Sequence, residues 1–157
     1  MLKYNFLKLI TIFLFSCNLI FSHCQIPCGI YSDSAKILQI REDLDTIERA
    51  MEQIVKLSSK NDPQSINQII RWTTAKETHA QNVQVIVTEY FMTQRLRENS
   101  KDYLKKLNIL HLLLVSSMKC KQSVEFENVK NSRASLESFV KLYFTKEDIK
   151  HLNQHSK

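Results

Sequence analysis

The stretch HCQIPCGIY, residues 23–31, combines side chains that bind transition metals with residues that allow a tight turn. It contains the imidazole of His23, the thiols of Cys24 and Cys28, and Gly29, the only glycine among 157 residues. Glycine adopts backbone dihedral angles that are costly for other residues, so Gly29 lets the loop bend back and brings the two thiols together. These residues predict a small metal site.

A hydrophobic segment precedes this stretch and has the pattern of a secretory signal peptide. Residues 1–22 combine early lysines with an apolar run, residues 9–15, and end on the small residue Ser22. We predict that cleavage after Ser22 makes His23 the new N-terminus. Two alternatives stay open. One is a retained membrane anchor, although the apolar run is short for a span of about 20 residues; the other is lipoprotein processing at Cys17.

Cleavage before His23 changes the chemistry of the stretch. Five donors become available: the amine and imidazole of His23, the amide nitrogen and sulfur of Cys24, and the sulfur of Cys28. Nitrogen donors in a planar arrangement favour Cu(II) or Ni(II), whereas a structural zinc site requires four tetrahedral side-chain ligands. A local Cys24–Cys28 disulfide is the alternative without a metal. Cys120, the third thiol of the processed chain, is predicted to be a buried apolar side chain.

The overall composition excludes several classes of protein. One glycine and two prolines argue against a turn-rich β fold and against glycine-dependent phosphate loops. The formal net charge of +6 falls by two when Lys3 and Lys8 leave with the leader, and the remaining basic residues alternate with acidic ones. A small anionic substrate would feel a modest attraction. Nucleic-acid binding is not expected.

The chain after residue 31 has the apolar periodicity of helices. We predict four amphipathic helices within residues 32–144, joined by short polar segments, and therefore an all-α, up-down-up-down four-helix bundle. The first helix starts at Ser32 or Asp33, and the second at Asp62-Pro63, an N-cap aspartate followed by a proline. Residues 145–157 form a C-terminal tail, which starts with the capping-box spacing of Thr145 and Asp148.

The predicted apolar faces, helix by helix, consist of Ile37, Ile40, Leu44, Ile47, Met51, Ile54 and Leu57; Ile66, Ile69, Ile70, Ala80, Val83, Val87 and Tyr90; Tyr103, Leu104, Leu107, Leu110, Leu114 and Met118; and Phe126, Val129, Leu136, Phe139, Val140 and Tyr143.

Histidines outside residues 23–31 do not predict a second metal site. His79 and His111 stand alone on helices, where core or surface positions are the favoured interpretation. His151 and His155 are four residues apart in the tail, where a solvated C-terminus is favoured. The bundle helices also lack the Glu-x-x-His pairs of a carboxylate-bridged di-iron site.

The pattern His-Cys-x-x-Pro-Cys-Gly-x-Tyr at a processed N-terminus resembles the nickel hook of the nickel-containing superoxide dismutases. The matching positions are His23, Cys24, Pro27, Cys28, Gly29 and Tyr31. A second match is the sequence TEYF, residues 88–91, in which Tyr90 corresponds to the family's second tyrosine near the hook. The family's four-helix architecture also agrees with the predicted bundle.

The resemblance implies an antioxidant enzyme that converts superoxide to oxygen and hydrogen peroxide, with one nickel ion per subunit cycling between Ni(III) and Ni(II). It implies that His23, Cys24 and Cys28 are the metal ligands. It also implies catalytic roles for Tyr31 and Tyr90, which would screen access and order water.

Three further expectations concern assembly and export. The resemblance implies a homohexamer, and the leader implies a maturation protease, either signal peptidase or a dedicated enzyme. The secretory route would deliver the protein to a periplasm, a lumen or the cell exterior.

Two positions depart from the family's pattern around the histidine. The glutamate that holds the imidazole in the best-known members is Gln39 here, and the arginine that supports it is Ala75. Gln39 can itself hydrogen-bond an imidazole nitrogen. Glu42 and Arg71, each one helical turn away, are an alternative pair.

Two other functions stay open at this point. One is a secreted helical-bundle binding protein in which Cys24 and Cys28 form a disulfide. The other is a nickel or copper carrier that uses the same stretch without turnover.

Overall fold

The computed structural model describes residues 33–154. Within that part of the chain every element is helical, as the predicted all-α fold requires. The elements are α1 (Asp33–Leu57), α2 (Pro63–Val85), a π-helical segment (Ile86–Arg95), α3 (Tyr103–Gln122), α4 (Phe126–Tyr143) and α5 (Lys146–Gln154).

The four long helices form a closed ring. Helix α1 packs against α2, α2 against α3, α3 against α4, and α4 returns to α1. Connections between successive helices are short, so each helix runs antiparallel to the next. The predicted up-down-up-down four-helix bundle is therefore confirmed, while the predicted stretch in front of it lies outside the described residues.

The core is built from the apolar stripes that the sequence predicted for α1 and α4. Their fully buried members are Ile37, Ile40, Leu44, Ile47 and Met51 on α1, and Val129, Leu136, Phe139 and Val140 on α4. Each side chain of this kind stabilises the fold by about 1.5–3 kcal/mol when it leaves water.

The predicted apolar face of α2 was wrong at its first turns. Ile66 is 45% exposed and Ile70 is 60% exposed. The reason is a difference in helix length: α1 has 25 residues and a length of about 37 Å, whereas α4 has 18 residues and a length of about 27 Å. The tip of the α1–α2 hairpin therefore extends past the shorter helices, and it also exposes Val55.

The predicted face of α3 was wrong at two positions. Leu104 and Met118 are exposed, whereas Leu110, Leu113 and Cys120 face the core. Helix α3 carries leucines on several sides, so periodicity alone did not determine which side is buried.

Two predicted helix starts are confirmed. The Asp62 carboxylate caps α2 by accepting hydrogen bonds from the amide (2.9 Å) and the hydroxyl (2.6 Å) of Ser65. At the start of α5, the Thr145 hydroxyl donates to Asp148 Oδ2 at 2.8 Å and accepts from the Asp148 amide. Helix α5 continues from this capping box to Gln154 and buries Leu152 against the bundle, so these tail residues are ordered by packing.

Candidate active site

Tyr90 lies in the π-helical segment, where the chain makes i to i+5 contacts in place of i to i+4. Side-chain hydrogen bonds with the same spacing link Thr93 to the carbonyl of Thr88 and Gln94 to the carbonyl of Glu89. In an α-helix, with 3.6 residues per turn, residues five apart lie on different faces. The π geometry instead brings Arg95 onto the face of Tyr90.

Arg95 contacts Tyr90 in two ways. Its Nη2 atom donates a hydrogen bond to the Tyr90 hydroxyl at 2.8 Å, and its guanidinium carbon lies 4.7 Å from the centre of the Tyr90 ring. The hydroxyl is therefore held as an acceptor, while the ring lies against a cation.

Asp33, the first residue of α1, brings three elements together. Its Oδ1 accepts a hydrogen bond from the Tyr90 hydroxyl at 2.6 Å and lies 2.9 Å from Arg95 Nε. Its Oδ2 accepts from the Tyr143 hydroxyl, at the end of α4, at 2.7 Å. We call Asp33, Tyr90, Arg95 and Tyr143 the Asp33 cluster.

An aromatic layer lies under the Asp33 cluster. Phe139 stacks on Tyr143 with ring centres 5.0 Å apart, and Phe91 meets both rings edge-on at 5.1 and 5.8 Å. Phe91 also meets Tyr90 edge-on at 5.2 Å. Such pairs are the favoured aromatic geometries, and they fix the positions of both tyrosine rings.

The environment keeps both tyrosine hydroxyls protonated. Burial raises the pKa of Tyr90, and its hydrogen bond to the Asp33 carboxylate raises it further. Burial and the same carboxylate also raise the pKa of Tyr143. Because a carboxylate can only accept, each phenol retains its proton to donate one.

Of the predicted site residues, Tyr90 lies within the described part of the chain and is 4% exposed. The predicted metal ligands His23, Cys24 and Cys28, together with Tyr31, lie outside the described residues. Their assignment stays a prediction.

The residues considered for support of the histidine lie on the outer faces of α1 and α2. Gln39 is exposed and accepts a hydrogen bond from Lys36 at 3.3 Å. Glu42 and Arg71 are both exposed, and no ion pair among residues 33–154 joins them.

The described histidines lie either in a contact between two helices or on the surface. His79 Nδ1 lies 2.5 Å from Oδ1 of Asp43, a buried residue, and this contact joins α2 to α1. Burial raises the pKa of Asp43, and the His79 contact opposes that rise. His111 and His151 are exposed, as a surface position predicts. His155 lies outside the described residues.

Cys120 is fully buried, as predicted. Its sulfur lies 3.9 Å from the Ser132 hydroxyl, and burial raises the pKa of its thiol. Among the described residues, no group of three or more histidine, cysteine or acidic side chains is arranged to hold a metal ion. Searching the same residues for a helix long and apolar enough to cross a membrane also finds none.

Sequence reasoning missed three members of the Asp33 cluster. Asp33 was predicted only as a possible N-cap, and Tyr143 only as a core position. No pattern in the sequence indicated Arg95, since its approach to Tyr90 depends on the π-helical segment. The one sequence signal was an acidic residue, Asp33, two residues after the predicted metal-binding stretch.

Comparison with protein families now bears on this site. A family model for nickel-containing superoxide dismutase matches residues 19–147. The matched range contains residues 23–31 and all four bundle helices, α1 to α4. No curated protein and no solved structure matches the chain.

The chain belongs to the nickel-containing superoxide dismutase family. It is therefore an oxidoreductase that uses nickel to convert superoxide to oxygen and hydrogen peroxide. The family implied by the resemblance is confirmed.

Proposed function

We propose that the nickel of this enzyme is bound by residues 23–31, called the hook below, after removal of residues 1–22. The ligands are the amine and imidazole of His23, the amide nitrogen and sulfur of Cys24, and the sulfur of Cys28. This nitrogen and thiolate donor set suits nickel. The observation that carries the proposal is the family match, which extends through the hook into the bundle.

The burial of Cys120 supports the choice of thiolates. The chain has four cysteines, of which Cys17 belongs to the proposed leader. Cys120 is fully buried and burial raises the pKa of its thiol, so it favours the neutral form that does not bind metals. Cys24 and Cys28 are therefore the thiols that the processed chain offers to nickel.

When bound, nickel supplies a one-electron couple, Ni(III)/Ni(II), that accepts an electron from one superoxide ion and returns it to a second. The protein contributes the charge of two thiolates and a deprotonated amide, which stabilises the higher oxidation state. The imidazole of His23 would be one of the nitrogen ligands that hold the nickel. Tyr31 and Tyr90 screen access and order the water from which the peroxide product takes its protons. Tyr90 suits this role because its hydroxyl is fixed and protonated.

The leader and the exposed hairpin tip lead to two further parts of the proposal. Export through the secretory route, with cleavage after Ser22 by signal peptidase or a dedicated protease, delivers the enzyme to a periplasm, a lumen or the exterior. The subunits assemble into a homohexamer. The exposed apolar side chains Val55, Ile66 and Ile70 at the α1–α2 tip support burial in an assembly. Light scattering of the mature enzyme measures this, and a monomer would contradict it.

The experiment that tests the hook combines N-terminal sequencing, intact mass and nickel content of the mature protein. We expect a chain that starts at His23 and carries one nickel. A different first residue would contradict the proposed site, since a longer terminus lacks the amine and a shorter one lacks the imidazole.

Cysteine variants make this test specific. Cys24→Ser and Cys28→Ser should abolish nickel binding and superoxide turnover, because each removes one thiolate. Cys120→Ser is the matched control and should retain both. Retained activity in either hook variant would show that the hook is not the catalyst. Nickel binding without turnover in the unmodified chain would instead identify a carrier.

A further inference from the structure

Asp33 belongs to the bundle and is also close to the hook in the sequence. In the sequence it comes two residues after Tyr31 and five after Cys28. In the fold it begins α1, and its carboxylate receives two tyrosine hydroxyls and one guanidinium, from the π-helical segment and from the end of α4. The first turn of α1 is therefore fixed by side chains from two other elements.

An ion pair between α1 and α4 that contains no tyrosine gives a simpler contact for comparison. Arg41 donates two hydrogen bonds, both 2.9 Å long, to the carboxylate of Glu137. That pair also joins α1 to α4. No tyrosine takes part, and Arg41 lies two helical turns along α1 from Asp33. Arg41 and Glu137 therefore offer a control in which α1 loses an arginine–carboxylate contact farther from the hook along the chain.

We propose that Asp33, Arg95 and Tyr143 are positioning residues for the nickel site. They hold the Tyr90 hydroxyl and the first turn of α1, which follows the hook in the sequence, in one arrangement. The inference rests on the proposed function, because it assumes that the hook binds the nickel. A hook joined to a helix start that is already fixed should lose less conformational freedom when the metal orders it, so binding should be tighter. None of the three residues needs to touch nickel or superoxide.

The test compares the nickel-loaded, processed variants Arg95→Gln and Tyr143→Phe with Arg41→Gln. Nickel affinity is measured by competition with a chelator, and the electron paramagnetic resonance spectrum of the oxidised nickel protein is recorded. Tyr143→Phe keeps the ring and removes one hydrogen bond to Asp33, so it tests the cluster even where Arg95→Gln folds poorly.

We expect Arg95→Gln to weaken nickel binding by about tenfold, within the range found when residues around a metal site are changed. Tyr143→Phe should act in the same direction with a smaller effect, and both should shift the resonance spectrum. Arg95→Lys, which keeps the charge, should recover part of the affinity. Arg41→Gln should change the nickel affinity by less than twofold and should leave the resonance spectrum unchanged.

Two outcomes separate this inference from the function on which it rests. In the first outcome, the unmodified protein binds nickel through Cys24 and Cys28, but Arg95→Gln and Tyr143→Phe match Arg41→Gln in affinity and spectrum. The positioning role would then be wrong, while the proposed hook would remain supported. If Cys24→Ser retains nickel, the hook itself is wrong, and the positioning role falls with it.

Discussion

The two ends of helix α4 each lie beside a charged side chain with several hydrogen-bond partners, and the partners differ in kind. Near the end of α4, the carboxylate of Asp33 is surrounded by side chains from other elements. Near its start, the ammonium of Lys76 on α2 donates to the backbone carbonyls of Cys120 (2.5 Å), Lys121 (2.6 Å) and Ser123 (3.3 Å). We call this second arrangement the Lys76 site.

The difference in partners indicates that the charge of Lys76 contributes to the stability of the fold and not to the proposed nickel site. The Lys76 site satisfies carbonyls that the C-terminus of α3 leaves without intrahelical partners, and its positive charge suits that end of a helix. Burial lowers the pKa of Lys76, and the nearby charge of Glu77 opposes that shift. The Asp33 cluster instead uses three side chains, those of Asp33, Arg95 and Tyr143, to fix a tyrosine of the proposed active site. Changes at the two ends should therefore separate stability from nickel binding.

The largest effect is expected for Phe139→Ala, which removes one ring of the aromatic layer under the Asp33 cluster. Phe139 is 1% exposed and stacks on Tyr143. The cavity should lower the free energy of unfolding by about 3–5 kcal/mol, and nickel affinity should fall as well because Tyr143 loses its support. Urea unfolding and chelator competition measure the two effects. Phe126→Ala, at a half-buried ring at the start of α4, is the control and should cost less; an equal loss would mean that the layer has no special role.

Lys76→Met should separate the ends of the bundle. The substitution keeps an apolar stem but leaves buried carbonyls without a donor, and we expect a loss of about 2–3 kcal/mol in the free energy of unfolding. Nickel affinity of the folded protein should stay unchanged. Lys121→Met, which removes only a hydrogen bond to Gln81 at the surface from a half-buried position on α3, is the control and should have little effect on stability. A drop in nickel affinity as large as that of Arg95→Gln would erase the distinction between the two ends.

Tyr143→Phe should give a smaller loss with a diagnostic pH dependence. At pH 7 the hydroxyl donates to a carboxylate, and its loss should cost about 1.5 kcal/mol. The pKa of Tyr143 is raised in the folded state, so its contribution is present below the unfolded pKa of about 10 and is lost as the pH rises further. Urea unfolding at several pH values should show the difference between the two proteins shrinking above pH 10. A difference that grows there would contradict the assigned hydrogen bond.

The bundle could be predicted, and the hook could be proposed, because both depend on information that is local in the chain. The stripe from Ile37 to Met51 follows helical periodicity, and the donors of the hook lie within residues 23–31. Exposure of Ile66 and Ile70 could not be predicted in the same way. It depends on α1 and α2 being longer than the helices they pack against, which is a property of the assembled bundle.

The Asp33 cluster could not be predicted for two physical reasons. Its members are 57 and 110 residues apart along the chain, so only the folded bundle brings them together. Arg95 also reaches Tyr90 through a π-helical segment, which shifts the facing residue from i+4 to i+5. The segment contains no proline or glycine that would indicate this change of helix type in the sequence.

The smallest effect concerns the coupling between Arg41 and Glu137. Arg41→Gln, Glu137→Gln and the double variant form a cycle, from which we expect a coupling of about 0.5–1 kcal/mol that weakens in salt, because Glu137 is 43% exposed. The equivalent cycle with Asp33→Asn and Arg95→Gln should give a larger coupling, since Tyr90 and Tyr143 share the carboxylate with Arg95. Urea unfolding at low and high salt measures both cycles. Equal couplings would mean that the tyrosines add nothing to the ion pair, and the Asp33 cluster would then be one more contact between helices.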